Sequence, residues 1–161
     1  MKGSVYEKVP GDRLTHLADD GTARMVDVSG KPEQLRVAEA SGQIFLRPET
    51  IALVESDGIA KGNVLAVARI AGIQAAKRTS ELIPLCHTLL LQQVEVDFEM
   101  RADGVKIRCA VRTIGRTGAE MEALTGVTVA ALTIYDMCKA VDKTMHIGGV
   151  VLDRKTKQNL D

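Results

Sequence analysis

Between residues 89 and 114 apolar and polar positions alternate, and beyond them the period changes. Over 89–101, Val94, Val96, Phe98 and Met100 alternate with Glu95, Asp97 and Glu99. That is the two-residue period of a strand with one covered face. Over 105–114, Val105, Ile107, Cys109 and Val111 alternate with Lys106, Arg108 and Arg112. Asp103-Gly104 between the two runs is a two-residue hairpin signal. After Gly118 the apolar residues Leu124, Val127, Ala131, Ile134, Met137 and Val141 recur at steps of three and four, which predicts a helix towards Lys143. Little charge interrupts it between Glu122 and Asp136, so most of its circumference is expected to be buried.

The rest of the chain divides in the same way. Residues 61–82 read as a second long helix, with Val64, Val67, Ala71, Gln74, Ala75 and Leu82 as its stripe and Pro84 as its stop. Gly62 and Gly72 within it point to close backbone packing. Pro48 opens a short helix through Glu55. Residues 23–29, 36–46 and 147–152 read as strands. Residues 1–20 are polar and broken at Pro10-Gly11, and are expected to form a flexible arm. Residues 21–161 are expected to form one domain. The order strand, helix, strand, strand, helix, strand predicts an α+β, ferredoxin-like βαββαβ fold. It has a four-stranded antiparallel sheet, two long helices on one face and an N-terminal extension. The bare sheet face would carry Glu95, Lys106 and Arg108, which suits water or a partner subunit.

Composition narrows the function. The chain has 161 residues, enough for one domain with a real core. Only 2% are aromatic and none is Trp, so base stacking on single-stranded nucleic acid is nearly unavailable. Lys+Arg and Asp+Glu balance at 21 each, which leaves no global basic footprint for nucleic acid. No secretory leader and no bilayer-length apolar span is visible, so a cytoplasmic protein without membrane contact is expected. The cysteines Cys86, Cys109 and Cys138 are odd in number and form no C-x-x-C pair, which suits reduced thiols. Cys86 beside His87 raises a metal site or a thiolate nucleophile. Adjacent residues point apart in extended chain, and no other Cys/His pair has ligand spacing, so no metal is expected.

Three features could carry chemistry. The loop Gly115-Arg116-Thr117-Gly118 precedes a helix and could cradle an anion. Glu120 and Glu122 in the first turn repel phosphate. They are either dipole-complementing caps or acceptors for a donor edge such as guanine presents. Asp136 and Lys139 lie three residues apart on one helix face. The apolar pattern around them predicts burial, which would shift both pKa values. They are then either a structural ion pair or a proton-transfer pair. Lys61, Lys77, Arg78, Arg116, Lys143 and Lys155 are further anion-binding candidates.

The segments MVDVS (25–29), KGNVLAVARIAGIQAAKRTSELIPLCH (61–87) and TGAEMEALTGVTVAALTIYDMCKAVDK (117–143), with the final IGG (147–149), resemble the cyclic pyranopterin monophosphate synthases, the molybdenum cofactor biosynthesis protein C family. The resemblance covers residues 14–155. It implies a ferredoxin-like fold and a homohexamer, a trimer of dimers. It also implies conversion of 3′,8-cyclo-7,8-dihydro-GTP into cyclic pyranopterin monophosphate with release of pyrophosphate. No cofactor is implied, and the functional partner is a radical-SAM GTP cyclase that supplies the substrate. The family's catalytic aspartate and lysine match Asp136 and Lys139. Its substrate-contact segments match Leu85, Cys86, His87, Met121 and Glu122, and further site positions match Lys61, Glu120 and Lys155. This chain has Thr88 and Gly149 where the family usually has proline. A nucleotide-binding regulatory or assembly module on the same fold is the alternative. A site drawing on Lys61, His87, Asp136 and Lys155 is expected to be completed across a subunit contact.

Overall fold

A computed structural model describes residues 21–160. The arm expected over residues 1–20 lies outside the described residues. Four strands and four helices follow in the order β1 (Gln34–Phe45), α1 (Pro48–Glu55), α2 (Val64–Lys77), α3 (Thr79–Leu82), β2 (Leu91–Arg101), β3 (Gly104–Gly115), α4 (Glu120–Cys138) and β4 (His146–Asn159). The strands form one antiparallel sheet in the order β2-β3-β1-β4. That is the strand order of the ferredoxin-like α+β fold, with α2 and α4 packed together against one face. The β2–β3 hairpin pairs Val96 with Cys109 and Phe98 with Ile107, as the alternation predicts. Its turn residues are Ala102 and Asp103, one position earlier than the Asp-Gly signal, and Gly104 is already paired with Arg101.

Ile44, Val105, Ile107, Val111, Val127 and Ile134 are fully buried between sheet and helices. The buried face of α2 runs through Val64, Ala68, Gly72, Ala75 and Ala76. The expected stripe was therefore misplaced: Val67 and Gln74 are exposed, and so is Leu82 beyond the helix. Gly72 sets that face. A Cβ there would fall 2.9 Å from the carbonyl oxygen of Gly126, so the two helices meet backbone to backbone. Small residues are thus buried, and the larger Val67 and Ile70 turn outwards. The helix starts later than expected because Asn63 caps it, its side chain accepting from the Ala66 amide at 2.7 Å. Lys61 and Gly62 lie in the preceding turn. In α4 the predicted stripe is buried at Val127, Ala131, Ile134 and Met137. Val141 lies past the end of the helix and is exposed.

Two strand expectations need correction. Residues 24–28 form no strand. Both sheet edges, β2 and β4, lie elsewhere, and this segment is instead tethered by side chains. Its alternation is real: Val26 and Val28 turn inwards while Asp27 faces out. The last strand runs to Asn159 rather than Leu152. Its polar second half pairs with β1 through the backbone, Ala38 opposite Lys155 and Arg36 opposite Lys157. Between Ser41 and Gln43 the β1–β4 register shifts, where β4 carries an extra residue. Gly149 sits there at φ +61°, the left-handed conformation of a bulge glycine. Proline, fixed near −65°, does not adopt that angle, so the proline that the family resemblance leads one to expect would not fit this backbone.

Candidate active site

The two ends of α4 carry the polar constellations. At the N-terminal end a cavity of about 380 Å³ is lined by Val26, Val28, Lys31, Leu85, Cys86, His87, Thr117, Gly118, Glu120, Met121 and Glu122. The turn after α3 delivers Leu85, Cys86 and His87, the segment before β1 delivers Val26, Val28 and Lys31, and the loop before α4 with the first turn of that helix delivers the rest. His87 Nε2 donates to the Val26 carbonyl at 2.7 Å, which puts a hydrogen on that nitrogen and holds residues 25–29 over the cavity. Arg116 Nη1 donates to the Ser29 carbonyl at 3.1 Å and ties down the same segment. Arg36 Nε donates to the Gly115 carbonyl at 3.0 Å, fixing the loop before α4 from its carbonyl side. Thr88 Oγ1 donates to Ser80 Oγ at 3.1 Å.

Glu122 is only 4% exposed. Burial pushes its carboxyl up to about 7, with the charge of Glu120 adding to the rise and its own backbone amide opposing it. Near neutral pH it is therefore divided between an acceptor and a donor-acceptor form. Burial, and then the charge of Glu122, raise the Cys86 thiol. Cys86 is thus held as a thiol, which argues against a thiolate nucleophile. Glu120 accepts from Lys155 Nζ at 3.1 Å. Both line an adjoining cavity of about 270 Å³ with Arg36 and Lys157.

At the C-terminal end, Asp136 receives two lysines. Lys139 Nζ lies 2.6 Å from Oδ1, and Lys61 Nζ lies 2.8 Å from Oδ2 and 2.9 Å from the Asp136 carbonyl. The expected burial of this couple is wrong. The side chains of Asp136 and Lys139 are 57% and 56% exposed, because the buried face of α4 runs through Ile134, Met137 and Cys138. The pKa shifts are present but arise from pairing. Hydrogen bonds from Lys139 and then Lys61 hold Asp136 at about 2. The hydrogen bond to Asp136 raises Lys139.

The structure thus brings Leu85, Cys86, His87, Glu120, Met121, Glu122 and Lys155 to one end, and Lys61, Asp136 and Lys139 to the other. Asp136 lies fourteen residue steps along the helix from Glu122, about 21 Å at the usual rise. Within one chain the two sets do not meet. Sequence reasoning missed Val26, Val28 and Lys31. The signal for the first two was present, in an alternation taken for a strand. Among the described residues no three His, Cys, Asp or Glu side chains gather as a metal site.

Fold and constellations together define a class, that of ferredoxin-like α+β proteins with carboxylate–lysine clusters at the two ends of one helix. A family profile narrows it: the MoaC family matches residues 25–158, and the chain belongs to that family. Among its relatives is a cyclic pyranopterin monophosphate synthase of Roseiflexus castenholzii, 57% identical over 145 residues, covering 89% of this chain and 92% of that protein. Cyclic pyranopterin monophosphate synthase 1 of Mycobacterium tuberculosis is 58% identical over 144 residues, covering 89% and 85%. A molybdenum cofactor biosynthesis bifunctional protein of Chlorobaculum tepidum is 60% identical over 143 residues, 89% of this chain. The match spans 46%, about half, of that relative's length.

Proposed function

We infer that this chain makes cyclic pyranopterin monophosphate for molybdenum cofactor biosynthesis, releasing pyrophosphate from 3′,8-cyclo-7,8-dihydro-GTP. It does so as a lyase, in the cytoplasm, with residues 21–161 as the catalytic domain and residues 1–20 as an arm. A radical-SAM GTP cyclase supplies the substrate. The observation that carries the reading is the Asp136 carboxylate shared between Lys139 and Lys61. A carboxylate with two ammonium groups on its oxygens is a preassembled set for proton exchange and for charge that develops on an opening ring.

In this mechanism Asp136 and Lys139 move protons on the rearranging ring. Glu120 and Glu122 accept from the guanine-derived N–H edge, and Leu85, Cys86 and Met121 border the ring. Lys61, His87 and Lys155 bear on the phosphates, with lysine acting as a point charge. A hydroxyl oxygen of the sugar-derived part attacks the innermost phosphorus and gives up its proton to a base of the site, while the bond from that phosphorus to the bridging oxygen breaks and pyrophosphate leaves with its electron pair.

The site is shared between chains of a homohexamer, a trimer of dimers. Two features support this. The half-sites lie too far apart for one substrate, and apolar Leu132 is exposed one turn before Asp136, as are Val67 and Ile70 on α2. Glu122 and Asp136 are equally distant in sequence from Val129. A two-fold partner running antiparallel about that point sets the Glu122 end of one α4 beside the Asp136 end of the other, making two equal sites.

Incubation with the cyclised nucleotide, followed by detection of pyrophosphate and the pterin product, tests the reading. Turnover abolished in Asp136→Asn is the expected result. Nucleotide binding with no pyrophosphate from the native chain would make it a binding module instead.

A further inference from the structure

One buried carboxylate takes no part in the mechanism above. Asp142, three residues after Lys139, has no exposed surface, and both its oxygens are saturated. Oδ2 accepts from the Arg47 amide at 2.9 Å and from Thr50 Oγ1 at 3.1 Å. Oδ1 accepts from the Thr144 amide and hydroxyl, both at 2.9 Å, and faces Arg47 Nε at 3.3 Å. Arg47 Nη2 also donates to the Val141 carbonyl. A single side chain thereby ties the turn after α4 to the start of α1.

We infer that Asp142 is a positioning residue that sets where Asp136 and Lys139 stand relative to Lys61. Its place in the fold supplies the reason. On one side it is joined to the end of α4, where its amide donates to the Cys138 carbonyl at 3.0 Å. On the other it grips α1, and α1 leads by a hydrogen-bonded turn to Lys61. In that turn the Gly58 amide donates to Leu53 at 2.8 Å, the Gly62 amide to Ile59 at 2.9 Å, and Asn63 Nδ2 to Asp57 Oδ1 at 2.7 Å. The Lys61–Asp136 pair is exposed, and an exposed pair alone holds its geometry weakly. Directional bonds to both oxygens of a buried carboxylate leave the end of α4 little freedom to turn or slide, which a packed apolar side chain would allow. Burial pushes the Asp142 carboxyl up, but hydrogen bonds from Arg47, Thr144 and Thr50 outweigh it and hold it at about 2. The clamp therefore stays charged through the neutral range.

That this placement governs turnover rests on the roles proposed for Asp136, Lys139 and Lys61; the placement itself does not. The test uses Asp142→Asn, Thr50→Val and Thr50→Ser in the full chain. The Asp136 carboxyl is titrated by carbon-13 NMR, kcat and KM are measured, and thermal midpoints are recorded. In Asp142→Asn and Thr50→Val the Asp136 pKa rises from about 2 towards the ordinary carboxylate range. Displacing reacting groups by a fraction of an ångström should lower kcat on the order of tenfold, with KM changed far less. Thr50→Ser keeps the hydroxyl and restores both. If Asp142→Asn does not fold, Thr50→Val carries the test. A lowered midpoint with Asp136 titrating as in the native chain, and with kcat unchanged, overturns the inference. If the native chain turns nothing over, the proposed function fails, and the Asp136 titration still decides the clamp.

Discussion

Lys61 and Asp136 stand 75 residues apart in the chain, yet their side chains meet at 2.8 Å. Lys139, on the same helical face, closes on the other carboxylate oxygen at 2.6 Å. The aspartate is thus ionised and bridged before any substrate arrives.

Removing that bridge should separate activity from stability. Asp136→Asn and Lys139→Ala are each expected to lower kcat at least about a hundredfold, the usual scale for losing a positioned acid or base. The thermal midpoint should barely move, because the pair is exposed. Whatever stability the depressed Asp136 pKa contributes is small for this solvent-screened pair; it is present above the ordinary carboxylate range and is lost as pH falls towards about 2. Kinetics and calorimetry on the same preparations check both statements.

Glu122 should behave in the opposite sense. Its carboxyl is raised from 4.5 to about 7, so folding favours the protonated form. The stability it allows is fully present below pH 4.5 and is lost as pH rises through about 7. Glu122→Gln, which cannot ionise, should gain about 3 kcal/mol over the native chain at pH 8 and nothing at pH 4. Urea unfolding at the two pH values measures this. Equal gains at both would show that Glu122 titrates normally.

The crossing of α2 and α4 leaves no room for a methyl group. Gly72→Ala would place its Cβ 2.9 Å from the Gly126 carbonyl oxygen, and Gly126→Ala would place its Cβ 2.6 Å from Cys109 Sγ. Each is expected to destabilise the fold by about 1–3 kcal/mol through overpacking, read from denaturant midpoints.

Much of this was legible in the chain, and what was hidden has physical reasons. The β2–β3 hairpin showed because one sheet face is apolar and the other charged, so the alternation is clean. The second half of β4 did not, because Lys155, Thr156 and Lys157 pair through the backbone and carry no apolar rhythm. Residues 25–29 alternate like a strand, but Val26 and Val28 serve a cavity wall. What holds them there is His87, a contact 61 residues away that no local pattern encodes. The spacing of Asp136 and Lys139 announced their pairing. It did not announce their exposure, since an apolar helix can bury one side and turn Leu132 and Asp136 outwards. Lys61 was one of several anion-binding candidates, and only the family resemblance singled it out as a site position. Only the folded chain shows that it reaches Asp136.

Catalysis, as proposed, needs the Asp136 end of one chain and the His87–Glu122 end of another. The most direct measurement mixes two inactive variants, Asp136→Asn and His87→Ala, unfolds and refolds them together, and assays pyrophosphate release. Half of the dimers formed by random pairing are mixed, and in each of these one of the two sites is intact, so about a quarter of native activity should return. Mixed oligomers, verified by mass, that remain as inactive as their parents would show that the site is not shared between chains.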